Sequence, residues 1–433
     1  MQERTAPQIH LNTRLLPFLV ILLLVMQLID PYRGWVALLV GLGGAWIISY
    51  LWARSLARGL KLTREMRFGW AQVGDRLQER FTVENRGWAP AVWIEVIDHS
   101  TMPDYRVSRV TGVGSQSENR WYSEGYCTRR GLFTLGPTGL RTGDPLGLYT
   151  VRLHYPECAD LMVTPPVLPL PPIEVAPGGR AEEGRSRPLA PERTVVAAGV
   201  RDYQPGDSLR WIHWPTSARR DALYVRLFDN LPAGDWWIIL DMNRSVQLGE
   251  GRDSTEEHGV ILSASLASQG LQAGRQVGLV ANGAELAWCP PGNGEIQQQG
   301  ILRALAVLES GERSLGDLLA RLPPRFGRMS SLIIITPDVE GSWVDSLVPL
   351  LRRGVIPTVL LLDPISFGGT RSAAGLLPLL SNVGAAHIVV TRQLLDRPEA
   401  RPGRQGRWEW RVSATGRAVP VRRPVDMAWK KLS

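Results

Sequence analysis

Lysine is nearly absent from this 433-residue chain, confined to Lys61, Lys430 and Lys431 although 49 positions carry Lys or Arg. The net charge of +8 is therefore arginine charge, spread along the whole sequence. No arginine run interleaves with stacking aromatics, and no zinc-finger, basic-zipper or RNA-recognition pattern occurs, which excludes the nucleic-acid binding that a basic chain first suggests. Cysteine is scarce as well. Cys127, Cys158 and Cys289 stand far apart with no CxxC spacing, which excludes a zinc ribbon or a disulfide framework and fits a reducing compartment. Also missing are the GxxxxGK(S/T) phosphate loop, the HExxH helix, the GxGxxG turn and the GxSxG elbow, and with them the commonest nucleotide, metalloprotease and hydrolase chemistries. His10, His99, His154, His258 and His387 lack ligand spacing, so each is expected to be solvated or locally bonded.

Two long apolar runs are present, at residues 15–29 and 35–52, flanking Asp30, Pro31, Tyr32, Arg33 and Gly34. A bilayer core takes about 20 helical residues. The second run meets that length; the first does so only with Thr13 and Arg14 snorkelling at its edge. A cleavable signal peptide is the rival reading of the first run, but no small-residue cleavage site follows it and a second apolar run does. The expectation is a two-helix membrane hairpin over residues 1–60. Ala37, Gly41, Ala45 and Ser49 recur every four residues, a small-residue face expected to hold the first helix. Arg4 and Arg14 precede the hairpin and Arg54, Arg58, Lys61, Arg64 and Arg67 follow it, against Arg33 alone in the turn. The positive-inside rule then predicts a multi-pass inner-membrane protein whose chain after Lys61 is cytoplasmic.

Residues 61–166 alternate apolar and polar side chains in short segments, at 77–83, 92–97, 120–126, 131–135 and 161–163, punctuated by Asn85-Arg86-Gly87 and Gly136-Pro137-Thr138-Gly139. That pattern predicts an all-β, sandwich-like domain, with Asp144, Pro145 and Gly147 building a turn. Pro-rich residues 165–172 and Gly, Glu and Arg-rich residues 177–193 lack apolar periodicity, so 167–198 reads as a linker.

Residues 199–234 are dense in charge and aromatics: Arg201, Asp202, Asp207, Arg210, His213, Arg219 and Arg220 surround Tyr203, Trp211 and Trp214, with a turn signal at Pro205-Gly206. Such a block holds one geometry only if its charges pair with each other or with a partner. It reads as a structural knot in which Asp207 pairs with Arg210 or Arg219 and Trp211 and Trp214 pack against the α/β domain, or as a docking face, since Arg, Trp and Tyr dominate interface energetics. A hydrolase reading takes Asp207, His213 and Ser217 as carboxylate, base and hydroxyl, without an elbow or an oxyanion loop to support them.

The run Tyr203, Pro205-Gly206-Asp207, Arg210, Ile212-His213-Trp214 and Ser217-Ala218-Arg219 resembles the signature of domain-of-unknown-function family 58. The stretch with Arg130-Gly131, Gly136-Pro137, Asp144-Pro145 and Gly147-Leu148 is similar to a second stretch of that family, so the resemblance runs from the hairpin to about Asp241 and loosens beyond it. It implies a bacterial, membrane-anchored protein that accompanies a MoxR-type AAA ATPase, with Tyr203, Gly206, Asp207, Arg210, His213, Trp214, Ser217 and Arg219 as the interaction residues.

From residue 235 onward apolar strands alternate with amphipathic helices. Strands are expected at 236–241, 276–281, 332–336, 357–363 and 387–390, with 285–289 as an antiparallel edge, and helices at 255–273, 295–308, 315–322, 343–353 and 376–380. This predicts a doubly wound α/β domain over 235–433, including a C-terminal extension, with sites outside the carboxyl ends of the strands. Asp241, Asn243, Ser245, Thr336, Asp338 and Asp363 fall at those ends. The arrangement resembles the von Willebrand factor type A fold, whose metal motif is Asp-x-Ser-x-Ser with a distant Thr and Asp; here it reads Asp241-Met242-Asn243-Arg244-Ser245. The resemblance implies magnesium or manganese at Asp241, Asn243, Ser245 and Asp338. Asn243 stands where a hydroxyl belongs and Arg244 opposes a cation, so the simpler expectation is that Asp241 and Ser245 cap the following turn or helix, with no cofactor.

The expected function is a non-enzymatic, membrane-anchored adaptor that couples the ATPase to a membrane process, with the bilayer and the ATPase as partners. The alternatives are the hydrolase and a structural cell-envelope protein.

Overall fold

The computed structural model describes residues 6–66, 69–171, 173–176, 197–204, 212–220, 222–228, 235–322, 330–353, 355, 357–395, 409–412, 418–422 and 430–431. The chain divides into two compact units, Met1–Thr164 with Pro398–Ser433, and Pro165–Arg397.

The first unit begins with strand β1 (Gln8–Leu11) and helices α1 (Leu15–Ile29) and α2 (Arg33–Gly59). Ten strands follow: β2 (Leu60–Met66), β3 (Trp70–Gln72), β4 (Arg76–Asn85), β5 (Ala91–Asp98), β6 (Arg109–Val113), β7 (Ser117–Tyr126), β8 (Gly131–Leu135), β9 (Thr138–Gly143), β10 (Tyr149–Tyr155) and β11 (Ala159–Thr164). Antiparallel sheets β1-β10-β9-β5-β6 and β2-β4-β7 are joined by a smaller sheet, β3-β11-β8. Period-two alternation makes the core: along β4, Leu77, Glu79, Phe81, Val83 and Asn85 are buried and their neighbours are not. Phe81 and Val83 there meet Ile94, Val96, Leu140, Val151 and Leu153 of the other sheet in one cluster.

Strands β1, β2, β3, β6, β9 and β10 were not among the expected segments. In β2 the reason is visible, because Arg64 occupies an inward position and breaks the apolar alternation that marks a strand. Its guanidinium holds Glu79 with two hydrogen bonds of 2.8 and 2.7 Å and Asp98 with one of 2.7 Å. Arg64 is thus a core residue and not one of the exposed charges flanking the hairpin; Arg14, Arg54, Arg58 and Lys61 are exposed.

Helices α1 and α2 pack on each other; Leu16, Val20, Leu23 and Gln27 of α1 and Trp35, Leu39, Leu42 and Trp46 of α2 are among their sheltered positions. The small-residue face is split: Ala37 and Gly41 are exposed, whereas Ala45 is half-buried and Ser49 buried, and a Cβ added at Gly41 would meet nothing within 4 Å. Helix α2 is long and apolar enough to cross a membrane, whereas α1, with 15 residues, is short. Phe18, Ile21, Leu28, Val40, Ile47 and Ile48 are exposed along the pair. The last turns of α2 are the reverse: Ala53, Leu56 and Ala57 lie in the β core, and Leu60 starts β2 without a linker.

The second unit carries a hairpin, β12 (Ala197–Asp202) and β13 (Tyr224–Phe228), with helix α3 (Trp214–Arg220) between its strands. Its main sheet comprises β14 (Trp236–Leu240), β15 (Val277–Asn282), β16 (Leu286–Gly292), β17 (Ser331–Thr336), β18 (Pro357–Leu362) and β19 (Ala386–Val390). The order is β16-β15-β14-β17-β18-β19, parallel except for the antiparallel edge β16. Both faces are covered, as the strand WWIIL displays: Trp236, Ile238 and Leu240 join one core with helices α4 (Thr255–Gln272) and α5 (Gly294–Ala306). Trp237 and Ile239 join the other, with α6 (Leu315–Ala320), α7 (Val348–Arg352) and α8 (Leu377–Val383). The expected helix at 343–353 begins as a tight 3-10 turn, Val344–Leu347, before Pro349 opens α7.

Two stretches lie elsewhere than expected. Val167, Leu168, Leu170, Ile173 and Val175, placed by sequence in a linker, pack on the α4 core, and backbone amides there donate to Ser265 Oγ and Thr358 Oγ1, each at 2.9 Å. Residues 398–433, expected to extend the α/β domain, group with the first unit, where Lys430–Lys431 pair antiparallel with Glu65 and Met66 of β2.

Candidate functional site

The strand order reverses between β14 and β17, and in such sheets the crevice beyond the strands' carboxyl ends at that point is where ligands bind. Asp241 follows β14 there and Thr336 ends β17. Asp241 is only 2% exposed, and both carboxylate oxygens are engaged. Oδ2 accepts from the Thr336 hydroxyl at 2.7 Å; Oδ1 accepts from Asn282 Nδ2 and from the Asn243 amide, both at 3.1 Å. Asn282, at the end of β15, also accepts from the Met242 amide at 2.6 Å and donates to the Arg313 carbonyl at 2.8 Å. The Thr336 hydroxyl accepts from the Asp338 amide at 2.9 Å, and Asp338 Oδ1 accepts from the Glu340 amide at 2.8 Å. Burial pushes the Asp241 carboxyl above its ordinary range; hydrogen bonds from Thr336, Asn282 and Asn243 pull it back in part, and the charge of Asp338 adds to the rise. Asp338 is raised too, by burial first and then by Glu340, against the pull of Arg371.

Of the four residues proposed to hold a metal, Asp241 and Asp338 are brought together through Thr336. Asn243 Oδ1 accepts from the Ser245 amide at 3.1 Å, so Asp241 and Asn243 each close a local turn two residues on. Asp241 thus caps the following turn, whereas Ser254 and not Ser245 caps helix α4, accepting from the Glu257 amide at 3.2 Å. Arg244 is turned away, donating to the Ser310 carbonyl at 3.2 Å. Among the described residues, no group of three His, Cys, Asp or Glu side chains is placed to hold a metal ion. Thr336 and Asn282 are what sequence reasoning underrated; their position at strand ends beside Asp241 was the available signal.

In the signature block, Gly206, Asp207 and Arg210 lie outside the described residues, as does Trp211. Tyr203 continues β12, its amide donating to the Leu223 carbonyl at 2.8 Å. His213 precedes α3 with Nδ1 2.7 Å from Thr216 Oγ1. The Ser217 hydroxyl is buried, donates to the His213 backbone carbonyl at 3.1 Å and accepts from the Tyr224 amide at 2.9 Å. His213 and Ser217 are therefore neighbours through the backbone, and the imidazole is engaged with Thr216. Trp214, expected to pack against the α/β domain, is exposed on α3 together with Arg219 and Arg220, and Arg220 lies 5.4 Å from the Tyr224 ring centre. Ile212 and Val225 bridge beneath them and are buried.

A family model described as protein of unknown function DUF58 matches residues 199–426, more than half of the chain. The chain belongs to the DUF58 family. The signature block and the α/β sheet lie inside the match; the helix pair and strands β1 to β11, which the sequence resemblance had included, lie outside it. An uncharacterized Mycobacterium tuberculosis protein, Rv1480, is 27% identical over 170 residues, 38% of this chain and 54% of the relative. The uncharacterized Bacillus subtilis protein YeaD is 26% identical over 259 residues, 58% of this chain and 63% of the relative. This DUF58 chain thus spans about half to two thirds of the curated relatives it matches. Among solved structures, the CARDB domain of a Pyrococcus furiosus protein is similar over 24% of this chain and 90% of its own, at 12% identity and a TM-score of 0.18, too weak a likeness to bear on fold or function.

Proposed function

We propose that this DUF58 protein is a membrane-anchored adaptor, without a reaction of its own, that holds a MoxR-type AAA ATPase at the cytoplasmic face of the inner membrane. The anchor is a two-helix hairpin, and the pairing of β1 with β10, Gln8 opposite Arg152 through Leu11 opposite Tyr149, is the observation that carries it. The chain leaves the β unit at Leu11 and re-enters it at Leu60, so both ends of the pair lie on one side of any membrane α2 crosses. Helix α1 must then cross as well, although its 15 residues span about 22 Å against a hydrocarbon core of about 30 Å. Exposed Arg14, Arg54, Arg58 and Lys61 flank that side and Arg33 alone the other, which supports a cytoplasmic body.

The β unit reads as a sandwich-like spacer and the α/β unit as a von Willebrand factor type A-like binding module. The hydroxyl of Ser217 is held by backbone groups and does not meet the His213 ring, whose Nδ1 is held by Thr216, which favours docking over hydrolysis at the signature block. The exposed Trp214, Arg219 and Arg220 form the proposed docking face. A photocrosslinker in place of Trp214 in the full-length membrane protein, followed by purification and mass spectrometry, is expected to recover an AAA ATPase; recovery of none rejects the adaptor. Labelling by a serine-hydrolase probe that disappears in His213→Ala would favour the rival enzyme.

A magnesium or manganese ion in the crevice is the second reading, favoured by the turning away of Arg244 and by Thr336, which supplies the hydroxyl absent from the Asp241 loop. Asp241, Thr336 and Asp338 offer hard oxygen donors that suit such an ion. A calorimetric titration with either metal giving no heat and no change in melting temperature ends this reading.

A further inference from the structure

We propose that the β unit is seated in the lipid headgroup layer by two of its loops, residues 86–90 and 144–148, with Trp88 and Leu146 inserted as apolar wedges. The inference rests on the hairpin reading and extends it from the helices to the body they carry.

Each loop is built against the base of one helix. On the α2 side, Trp52 Nε1 donates to the Pro90 carbonyl at 3.1 Å, the Ala89 amide donates to Ser55 Oγ at 3.3 Å, and Trp52 and Trp88 meet edge to face at 5.6 Å. Gly59 and Gly87 approach so closely that a Cβ on Gly59 would lie 2.4 Å from the Gly87 nitrogen. On the α1 side, the Asn12 amide donates to the Leu148 carbonyl at 2.8 Å and Asn12 Nδ2 to the Gly147 carbonyl at 3.0 Å. Tyr149 completes the base, accepting from Trp46 Nε1 at 2.7 Å and meeting Tyr50 edge to face.

Although Gly87, Ala89, Pro90, Asp144, Gly147 and Leu148 in these loops are held by hydrogen bonds, Trp88 stays 56% exposed and Leu146 63%. Exposed bulky apolar tips on otherwise ordered loops call for an apolar partner, and the hairpin supplies one by continuity. From Arg33 to Trp52 the rise is about 28 Å, close to the thickness of a hydrocarbon core of about 30 Å. With Tyr32 and Trp35 at one boundary, the other boundary falls at Trp52, and therefore at Trp88, Tyr50 and Tyr149. Aromatic rings with one polar end are the residues that settle at such boundaries. The short α1 strengthens the placement, since a pair that under-spans the bilayer draws its base inward. Arg54 and Arg58, exposed within two turns of Trp52, stand at phosphate height, while Arg86 in the inserted loop is neutralised by Glu84 at 2.6 Å.

The test is depth measurement by spin labels in the full chain, reconstituted in vesicles of phosphatidylethanolamine and phosphatidylglycerol, with Cys158 and Cys289 replaced by Ser. Labels at Trp88→Cys and Leu146→Cys are compared with Glu124→Cys, which is paired with Gln78 seven residues from Asn85 along β4, and with Leu22→Cys and Val40→Cys in the hairpin. The expected result is an oxygen-to-nickel accessibility ratio several-fold higher at 88 and 146 than at 124, approaching that of the hairpin labels. Hairpin labels in lipid with 88 and 146 as aqueous as 124 overturn this proposal alone; aqueous hairpin labels overturn it together with the anchor. Unsubstituted protein in vesicles carrying a lipid with a diazirine at the top of its acyl chain provides the second measurement. Adducts on residues 86–90 and 144–148 support the seating, and adducts confined to the helices reject it.

Discussion

Arg64 is the residue on which the β unit's interior most depends. Its guanidinium is buried between Glu79, which is 0% exposed, and Asp98, and donates also to Thr138 and Ser100. Tyr105 donates to Glu79 Oε2, which also accepts from Arg64. Burial alone would lower the Arg64 pKa, yet the hydrogen bonds and charge of Glu79, then the charge of Asp98, outweigh it and hold the group ionised. Arg64→Met would leave two buried carboxylates without a counter-charge, at a cost of about 3–5 kcal/mol, to be read from the denaturant midpoint. Asp241 behaves in the opposite way. Burial raises its pKa in the folded state, so the folded protein binds this proton more tightly than the unfolded chain; the resulting stability is complete below the unfolded pKa and is lost as pH rises through the folded one. Asp241→Asn keeps the acceptor toward Asn282 and Asn243 and can donate to Thr336. It is expected to abolish that loss, so that thermal melting of the variant overtakes wild type as pH climbs from 4 toward neutrality. A wild type that grows steadily more stable over the same range relative to the variant would contradict the assignment.

At the scale of elements, the parallel α/β strands were legible because each is a short apolar run between helical periodicities, and the observed bounds differ from the expected ones by at most one residue, or three at the far end of edge strand β16. The β unit was half legible. Strands with alternation, such as β4, β5, β7 and β8, could be found; β2 was hidden by Arg64 and β9 by the glycines and threonines of TGLRTG, while β10, YTVRLHY, alternates cleanly and was overlooked. The helix pair was legible as helices but its contact face was not, since small residues spaced by four mark only where close packing is possible. Close packing occurs instead at the far end of α2, where Gly59 meets Gly87. Gly59→Ala would drive its Cβ into backbone atoms at 2.4 and 2.8 Å, which cannot rotate away. A loss of about 1–3 kcal/mol is expected from such overpacking, with Gly44→Ala, where a Cβ meets nothing within 4 Å, as the neutral control.

For the molecule as a whole, the decisive feature is that one β unit holds both ends of the helix pair. If α1 and α2 span the membrane, Pro31→Cys must react with an impermeant maleimide added to intact cells. The native Cys158, exposed in the β unit, must react only after permeabilisation. Cys127 should stay unlabelled in either case at pH 8, because burial and then the charge of Asp75 push its thiol up to about 12. Labelling of Cys158 from outside would invert the orientation.

Local pattern alone determined the alternation of strands and helices, the apolar character of residues 15–52, the turn at Asp144 and the unusual density of the signature block, because each is a matter of neighbours within a few positions. Tertiary structure decided what no window of sequence contains: that β1 closes onto β10 about 140 residues away, that Arg64 is a buried counter-ion instead of a surface charge, that Val167, Leu168, Leu170, Ile173 and Val175 coat the α/β core, and that Thr336 reaches Asp241 from another strand. The physical reason is common to all four. Burial and charge pairing are set by which distant segments share a neighbourhood, and a side chain takes its role from the partners that neighbourhood supplies.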